Sequence, residues 1–309
     1  MQVALLGGTS QIAKDLILQF SKKSDLELLA FSRNHHLLTK WLMEYEEVKN
    51  CKSFILQDFN ENHKVDVIIN CIGSSNSSQS REFFELTQKY DSTSINYLKK
   101  NPNTKYIFFS SGAIFGDEFL EPINQNSFAR VQINSYAKMS WYGISKLYAE
   151  CQHRSLIDHS IVDLRIFSYF SHLQNLETNL LMSQVVKSLK SNKTLLVSSK
   201  NIVRDYVTSV DLFNLIEKII EMNFLNMAID SYSLEPISKF TLLENLSSLY
   251  GLKYEIDHMQ NYENYNSLKL NYYSTNKIAG KIGYIPKHSS LTGIFEELNK
   301  LNIQKKNEM

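Results

Sequence analysis

Apolar runs of four to nine residues alternate with amphipathic stretches along the first half of this chain. Val3 to Leu6 is an unbroken apolar run that stops at glycine, the pattern of a strand buried on both faces. From Ile12 onward the apolar positions Ile12, Leu16, Ile17 and Phe20 share one face at helical spacing. ELLAF at 27–31 predicts a second buried strand, HLLTKWLMEYEEV at 36–48 a helix, and KSFILQDF at 52–59 a third strand. VDVIINCIG at 65–73 predicts a fourth, strongly apolar strand. REFFELTQKYDSTSINYLKK at 81–100 predicts a long helix, and KYIFFSSG at 105–112 a fifth strand. A helix around 140–157 and the strand SIVDLRIF at 160–167 follow. This alternation predicts an α/β fold over residues 1–170, a doubly wound parallel sheet with helices on both faces. Its strands point the same way, so ligands are expected along the edge formed by their C-terminal ends. The loops to inspect follow Leu6, Phe31, Phe59, Ile72 and Phe109.

Beyond residue 170 strands thin out and Tyr and Asn become more frequent. NLLMSQVVKSLK and FTLLENLSSLYG read as helices and KTLLVS as a strand. Residues 171–309 are therefore expected to form a smaller α+β substrate lobe, with the segment around 203–222 packing back on the first domain. A length of 309 residues, 43% of them hydrophobic, is enough to bury two such cores. A formal net charge of +1 and Lys and Arg spread along the chain, apart from the short tail KKNEM, argue against nucleic acid as a partner. Cys51, Cys71 and Cys151 lie far apart with no C-x-x-C pair, so neither a zinc site nor a disulfide framework is expected, and a reducing, cytoplasmic setting fits. MQVALLGG lacks a basic leader region and no run approaches the roughly 18 apolar residues of a membrane span, so no membrane association is expected.

The loop after the first strand, in LLGGTSQIAKDL, carries Gly7, Ser10 and Ala13 at the spacing of a three-glycine dinucleotide loop. In such a loop the first glycine allows the tight turn, the second lets a pyrophosphate approach the backbone, and the third lets helix and strand pack closely. Gly7 suits the first task. Ser10 is small, and its N–H sits at a helix N-terminus, where phosphate is favoured. Ala13 adds one methyl. An ordinary strand-to-helix turn with a Ser or Thr cap is the alternative. If the loop binds a cofactor, Gly7, Thr9, Ser10, Gln11 and Ile12 surround it. Ser32 and Arg33 follow the second strand, where NAD-binding chains usually place an acid. An arginine there suits a 2′-phosphate, so NADP(H) is expected ahead of NAD, unless Arg33 is only a surface residue. Asp58, with Phe59 at the end of the third strand, is placed to accept from an adenine amino group, or is a plain turn residue. The polar loop GSSNSSQS begins at the ligand edge, and Ser74 is its first candidate for substrate contact.

SWYGISKLYAE places Tyr142 and Lys146 four apart, on one face of a predicted helix. An ammonium beside a phenol favours the phenolate and lowers its pKa from about 10. Such a tyrosine exchanges a proton with an alcohol or ketone. Chance pairs are common among 17 tyrosines, so the spacing alone also fits an amphipathic helix surface. Ser111 ends the fifth strand on the ligand edge, and its hydroxyl can hold the same oxygen.

Together these residues resemble the extended short-chain dehydrogenase/reductases of the NAD-dependent epimerase/dehydratase type, over nearly the whole chain. Gly7, Ser10 and Ala13 stand at that family's cofactor loop, and INCIG resembles its segment after strand four, which implicates Cys71, Ile72 and Gly73 in cofactor contact. SSGAIFG resembles S-S-x-x-V-Y-G, with Ser111 in the catalytic position and Gly112 beside it at the substrate. Tyr142 and Lys146 match the catalytic pair, and Asn96 matches an asparagine that supports the lysine through water. VRDYVTSVDL and YYSTNKIAGKIGYIP resemble two late motifs of nucleotide-sugar enzymes. The resemblance implies a Rossmann-type domain, a nucleotide-sugar substrate and a homodimer.

Family dehydratases carry Asp-Glu after the catalytic hydroxyl; Gly112 and Ala113 stand here and can move no proton. Epimerases retain their cofactor tightly, which two missing glycines disfavour. The resemblance thus implies an NAD(P)H-dependent reductase of a nucleoside-diphosphate 4-keto-6-deoxy sugar. Hydride reaches the C4 carbonyl carbon, Tyr142 protonates the oxygen, Ser111 holds it, and Lys146 lowers the tyrosine pKa and binds the nicotinamide ribose. Arg204 is the candidate diphosphate clamp, unless it pairs with Asp205 or Asp211. Arg165 is at least as readily structural. A 4-epimerase on the same scaffold and a non-catalytic dinucleotide sensor remain alternatives. His35 and His36 read as a solvated loop and Trp141 as packing.

Overall fold

The computed structural model describes residues 1–60, 62–73, 81–131, 134, 140–257 and 269–305. Along its first part run β1 (Gln2–Leu6), α1 (Gln11–Phe20), β2 (Glu27–Ser32), α2 (His35–Met43), β3 (Cys51–Ile55), β4 (Val67–Asn70), α3 (Arg81–Lys100), β5 (Lys105–Ser111), α4 (Trp141–Ser155), β6 (Ile161–Ile166) and β7 (Ser168–Tyr169). There follow α5 (Leu181–Ser191), β8 (Leu195–Ser198), β9 (Val203–Arg204), β10 (Tyr206–Val207), α6 (Ser209–Glu221), β11 (Asn226–Asp230), β12 (Ile237–Ser238), α7 (Lys239–Tyr250), β13 (Tyr254–Asp257), β14 (Asn271–Tyr272) and α8 (Ser290–Lys300).

The central sheet has seven strands in the order β3-β2-β1-β4-β5-β6-β11, every pair parallel. It is the doubly wound, Rossmann-type sheet that the apolar runs predict. Alternate residues feed two cores, one on each face. Val3, Leu5, Val67, Ile69, Ile107 and Phe109 pack with α1 and α6, while Ala4, Leu6, Ile68, Tyr106 and Phe108 pack with α3 and α4. A strand buried on both faces cannot alternate polar and apolar, which is why these strands read as continuous runs. From β1 the chain builds outward to β3 and then returns to β4 on the other side. That reversal opens a crevice at the C-terminal ends of β1 and β4.

Three elements differ from the sequence reading. The helix predicted to Val48 stops at Met43, because Glu44, Glu46 and Glu47 would stack negative charge at its negative C-terminal end. The third strand ends at Ile55 and gives way to a 3-10 turn, Leu56–Asp58. The edge strand β11 was not foreseen; its NMAID sequence is short and only its last two residues are buried, so it carries little periodic signal. Asn226–Asp230 lie opposite Ile161–Arg165 of β6.

A third core joins α5, α7, α8 and β8 through Val185, Val186, Leu242, Leu246, Ile294 and Leu298. Within this part β9 lies between β12 and β14, which sets Arg204 opposite Tyr272. α6 packs on α1, with Phe213 edge-on to Phe20 at 4.9 Å. No helix of the described residues is long and apolar enough to cross a membrane.

Candidate active site

The turn after β1 is built on backbone contact. Gly7 has φ +85°, a conformation that only glycine adopts without strain. A Cβ on it would lie 3.0 Å from the Cys71 carbonyl carbon and oxygen at the end of β4. The N–H groups of Gly7 and Gly8 both donate to the Phe31 carbonyl at 2.9 Å, which ties the turn to β2. Ser10 caps α1, its Oγ accepting from the Ala13 N–H at 3.3 Å. That bond uses an acceptor lone pair and leaves the hydroxyl proton free to donate to a phosphate. Ala13 is fully buried, so helix and sheet accommodate its methyl group.

A cleft of 220 Å³ opens at this turn, lined by Gly7, Thr9, Ser10, Ser32, Arg33, Leu56, Cys71, Ile72, Gly73 and Leu86. Eight of the residues expected to meet the cofactor are thus brought together. Ser32 donates to Thr9 at 3.3 Å and joins the first two loops, while Arg33 is exposed at the rim. Other candidates do not line the cleft. Gln11 donates to Ser171 at 2.9 Å, and Ile12 packs against the core of α1. Phe59 is buried against Phe31 and Tyr97, and so is a core ring instead of a cofactor contact. Asp58 is exposed at the end of the 3-10 turn, and Ser74 lies outside the described residues. A larger hollow of 440 Å³, beside Met1, Lys22, Lys23 and Glu217, lies at the opposite end of β1 from this chemistry.

Ser111 closes β5 and caps the 3-10 turn Gly112–Phe115, accepting from the Ala113 N–H at 3.2 Å. The first turn of α4 rests on that turn. A Cβ at Gly143 would lie 2.5 Å from the Ala113 carbonyl oxygen, so only glycine permits this approach. Tyr142, the preceding residue, is thereby brought near Ser111, whose hydroxyl works against the rise that burial imposes on the Tyr142 pKa. Its ring packs on Phe83 at 5.0 Å. One turn on, the buried Lys146 holds its Nζ 4.3 Å from the Phe108 ring and 5.9 Å from that of Phe83. Ser111, Tyr142 and Lys146 therefore converge beside the cleft.

Two electrostatic expectations need correction. Burial raises the Tyr142 pKa, and the Ser111 hydroxyl opposes the rise. Burial in turn lowers the Lys146 pKa to about 8, against the pull of the Asp91, Asp163 and Glu150 carboxylates. Asn96 does not support this lysine, since it sits on the exposed face of α3. The side chain of α3 whose charge favours the ammonium is buried Asp91, which accepts from Tyr106 at 2.8 Å and bonds His153 at 2.9 Å.

On the substrate side Arg204 donates to the Val203 and Leu270 carbonyls at 2.8 and 3.3 Å and lies 5.7 Å from the Tyr272 ring. Neither carboxylate suggested as its partner takes it. Asp205 accepts from Ser233, and Asp211 from the Lys287 and His288 amides. Burial lowers the Arg204 pKa, as for a cation short of counter-charge. Arg165 is structural, held by Glu150 at 2.6–3.1 Å and Asp230 at 3.4 Å. Gly112 lies under the Phe167 ring. Trp141 packs edge-on to Phe84, and His35 bonds the Ser53 carbonyl. Sequence reasoning missed Tyr272, whose hydroxyl is 3.2 Å from Ser111 Oγ. It lies in a motif with two adjacent tyrosines, and only the pairing of β14 with β9 shows which one faces Ser111.

The sequence profile of the NAD dependent epimerase/dehydratase family matches residues 3–228. No curated protein matches the chain in sequence. Among solved structures, the UDP-glucuronic acid 4-epimerase of Bacillus cereus, in complex with UDP-glucuronic acid and NAD, is similar at 16% identity and TM-score 0.78, over 98% of this chain and 99% of that one. The NAD complex of dTDP-glucose 4,6-dehydratase from Bacillus anthracis is similar at 15% identity and TM-score 0.78, over 98% and 96%. UDP-glucose 4-epimerase from Bifidobacterium longum, with NAD+ and UDP, is similar at 16% identity and TM-score 0.74, over 98% of each chain.

Proposed function

The chain belongs to the NAD dependent epimerase/dehydratase family, and on that premise we propose that it is an NAD(P)H-dependent reductase of a nucleoside-diphosphate 4-keto-6-deoxy sugar. The observation that carries this reading is the convergence of Ser111, Tyr142 and Lys146 beside the cleft at Gly7. The cleft suits a dinucleotide. Ser10 and the N-terminus of α1 would hold its pyrophosphate, Arg33 a 2′-phosphate, and Lys146 the ribose next to the nicotinamide. A bound nicotinamide cofactor supplies the hydride. Ser111 and Tyr142 together hold the C4 oxygen, and Tyr142 gives that oxygen its proton as negative charge develops there. Arg204, without a carboxylate partner among the described residues, takes the substrate diphosphate. Gly112 and Ala113 bring no acid or base to C5 and C6, which disfavours dehydration. With one glycine in place of three, the loop suits a cofactor that leaves after each turnover.

The second reading is a 4-epimerase, and it is favoured by the epimerases among the structural relatives. The experiment offers NADPH and NADH with a panel of nucleotide 4-keto sugars and follows loss of reduced cofactor. Stoichiometric oxidation supports the reductase. Interconversion of 4-epimers with no net change of cofactor would replace it with the epimerase. A homodimer through α3 and α4 accompanies either reading. Tyr148 is 51% exposed beside Phe84 on that face, and light scattering would measure the state.

A further inference from the structure

Tyr272 belongs to the reacting centre although it comes from the far end of the chain. Its hydroxyl lies 3.2 Å from Ser111 Oγ. Its ring is clamped edge-on by Phe119 at 4.7 Å and packs with Phe167 at 5.4 Å. Two cations flank that ring: Arg204 at 5.7 Å and Lys269 at 5.3 Å, the latter paired with Asp117 at 3.1 Å. The phenol is therefore held in place before any substrate arrives.

A serine hydroxyl has one proton to donate and two acceptor positions. On Ser111 the first acceptor position takes the Ala113 N–H. The second is open to either phenol. Burial raises the Tyr272 pKa against the opposite pulls of the Ser111 hydroxyl and Arg204, so the phenol keeps its proton and has it available to donate across the 3.2 Å to Ser111, where either oxygen can be the donor. With both acceptor positions filled, the Ser111 proton must point away from both, toward Tyr142 and the substrate oxygen. Were Ser111 to donate to Tyr272 instead, Tyr142 would spend its own proton on Ser111 and have none directed at the substrate.

We propose that Tyr272 is a positioning residue of this site: its phenol donates to Ser111 and thereby compels Ser111 to donate toward Tyr142. The inference rests on the reading of Tyr142 as the proton donor. It makes Tyr142 the better acid, because the Ser111 proton stabilises the phenolate it becomes. Among the described residues, the charged and titratable groups around Tyr272 are Tyr142, Arg204, Lys269 and Asp117, and Lys146 follows Tyr142 one turn on along α4. Tyr272→Phe leaves all of them and removes only the Tyr272 hydroxyl.

The test is carbon-13 NMR of protein labelled at tyrosine Cζ, with the Tyr142 signal assigned by its loss in Tyr142→Phe. Loss of one hydrogen bond in the chain should lower the Tyr142 ionisation constant in Tyr272→Phe by roughly 3- to 10-fold. In a Ser111→Ala background the same substitution should change it less than about twofold, because the effect passes through Ser111. An unchanged constant in Tyr272→Phe overturns the proposal. So does an equal change in the Ser111→Ala background. Turnover is measured separately, with kcat expected to fall and KM to hold. If the unsubstituted protein reduces no nucleotide keto sugar, the proposed function fails while the titration still decides this inference.

Discussion

Replacing Gly143 by alanine tests whether the catalytic geometry depends on one backbone contact. The added Cβ would lie 2.5 Å from the Ala113 carbonyl oxygen, where an ordinary carbon–oxygen contact is about 3.3–3.6 Å. The obstacle is backbone, fixed in a turn in which that oxygen also accepts from the Gly116 N–H at 3.2 Å. The first turn of α4 must therefore retreat by roughly 1 Å. Two energies oppose each other. Alanine gains up to about 1 kcal/mol in helix propensity, less near a helix start, while overpacking costs about 1–3 kcal/mol. The clash wins, and a net loss of about 1–2 kcal/mol should lower Tm by roughly 2–6 °C. The catalytic effect should be larger than the loss of stability. Tyr142 adjoins the displaced residue, and a misplacement of about 1 Å costs on the order of 100-fold in turnover. Dinucleotide affinity should fall less than turnover, because the turn at Gly7 that would hold the pyrophosphate is untouched and only the Lys146 contact lies on the displaced helix. The assays are NAD(P)H oxidation with the productive keto sugar, calorimetric cofactor binding and a thermal melt. Wild-type turnover with an unchanged Tm would refute the packing argument.

Three further outcomes are expected. Burial alone would lower the His153 pKa, but Asp163 at 2.6 Å and Asp91 at 2.9 Å outweigh it and raise it to about 9. This stabilisation, on the order of 3 kcal/mol, is full below about pH 6.5 and lost as pH rises through about 9. Melts across that window should show it, and His153→Gln should flatten the dependence. Arg33→Ala should weaken NADPH binding by roughly 5- to 10-fold and leave NADH unchanged, as a single exposed charge-assisted contact allows; unchanged binding of both would assign Arg33 to the surface, and equal losses for both would move its contact off the 2′-phosphate. Arg204→Leu should raise KM for the nucleotide sugar by about 10-fold or more, with Lys at that position only partly restoring it. An unchanged KM would return Arg204 to a structural role.

What the sequence disclosed and what it hid follow a physical line. Buried parallel strands leave continuous apolar runs, so β1, β2, β4, β5 and β6 were legible. So was α3, whose residues 81–100 keep one apolar stripe. β11, half-exposed at a sheet edge, left almost none. The residues proposed to react were legible where chemistry fixes local spacing, as with Tyr142 and Lys146, or where a strand ends, as with Ser111. Partnerships across the chain were not. Tyr272 reaches Ser111 from 161 positions away, and no periodicity encodes that. Four residues on a helix put Lys146 near Tyr142, but the aromatic rings of Phe108 and Phe83 decide where its ammonium rests.

The same distinction bears on the residues that follow Ser111. Read as sequence, Gly112 and Ala113 are an acid and a base that are missing. Read as structure, the space they would need is filled. A Cβ at Gly112 would lie 2.2 Å from Phe167 Cε1, and Phe167 also packs against the ring of Tyr272. An aspartate restored at 112 would push Phe167 into the phenol that touches Ser111, disturbing the hydroxyl it was meant to assist. The packing around Ser111 thus supports proton exchange at one oxygen through Tyr142, and it is incompatible with a carboxylate at 112 unless Phe167 yields. This favours ketone reduction or epimerisation over dehydration on steric grounds that stand apart from the identity of the missing side chains.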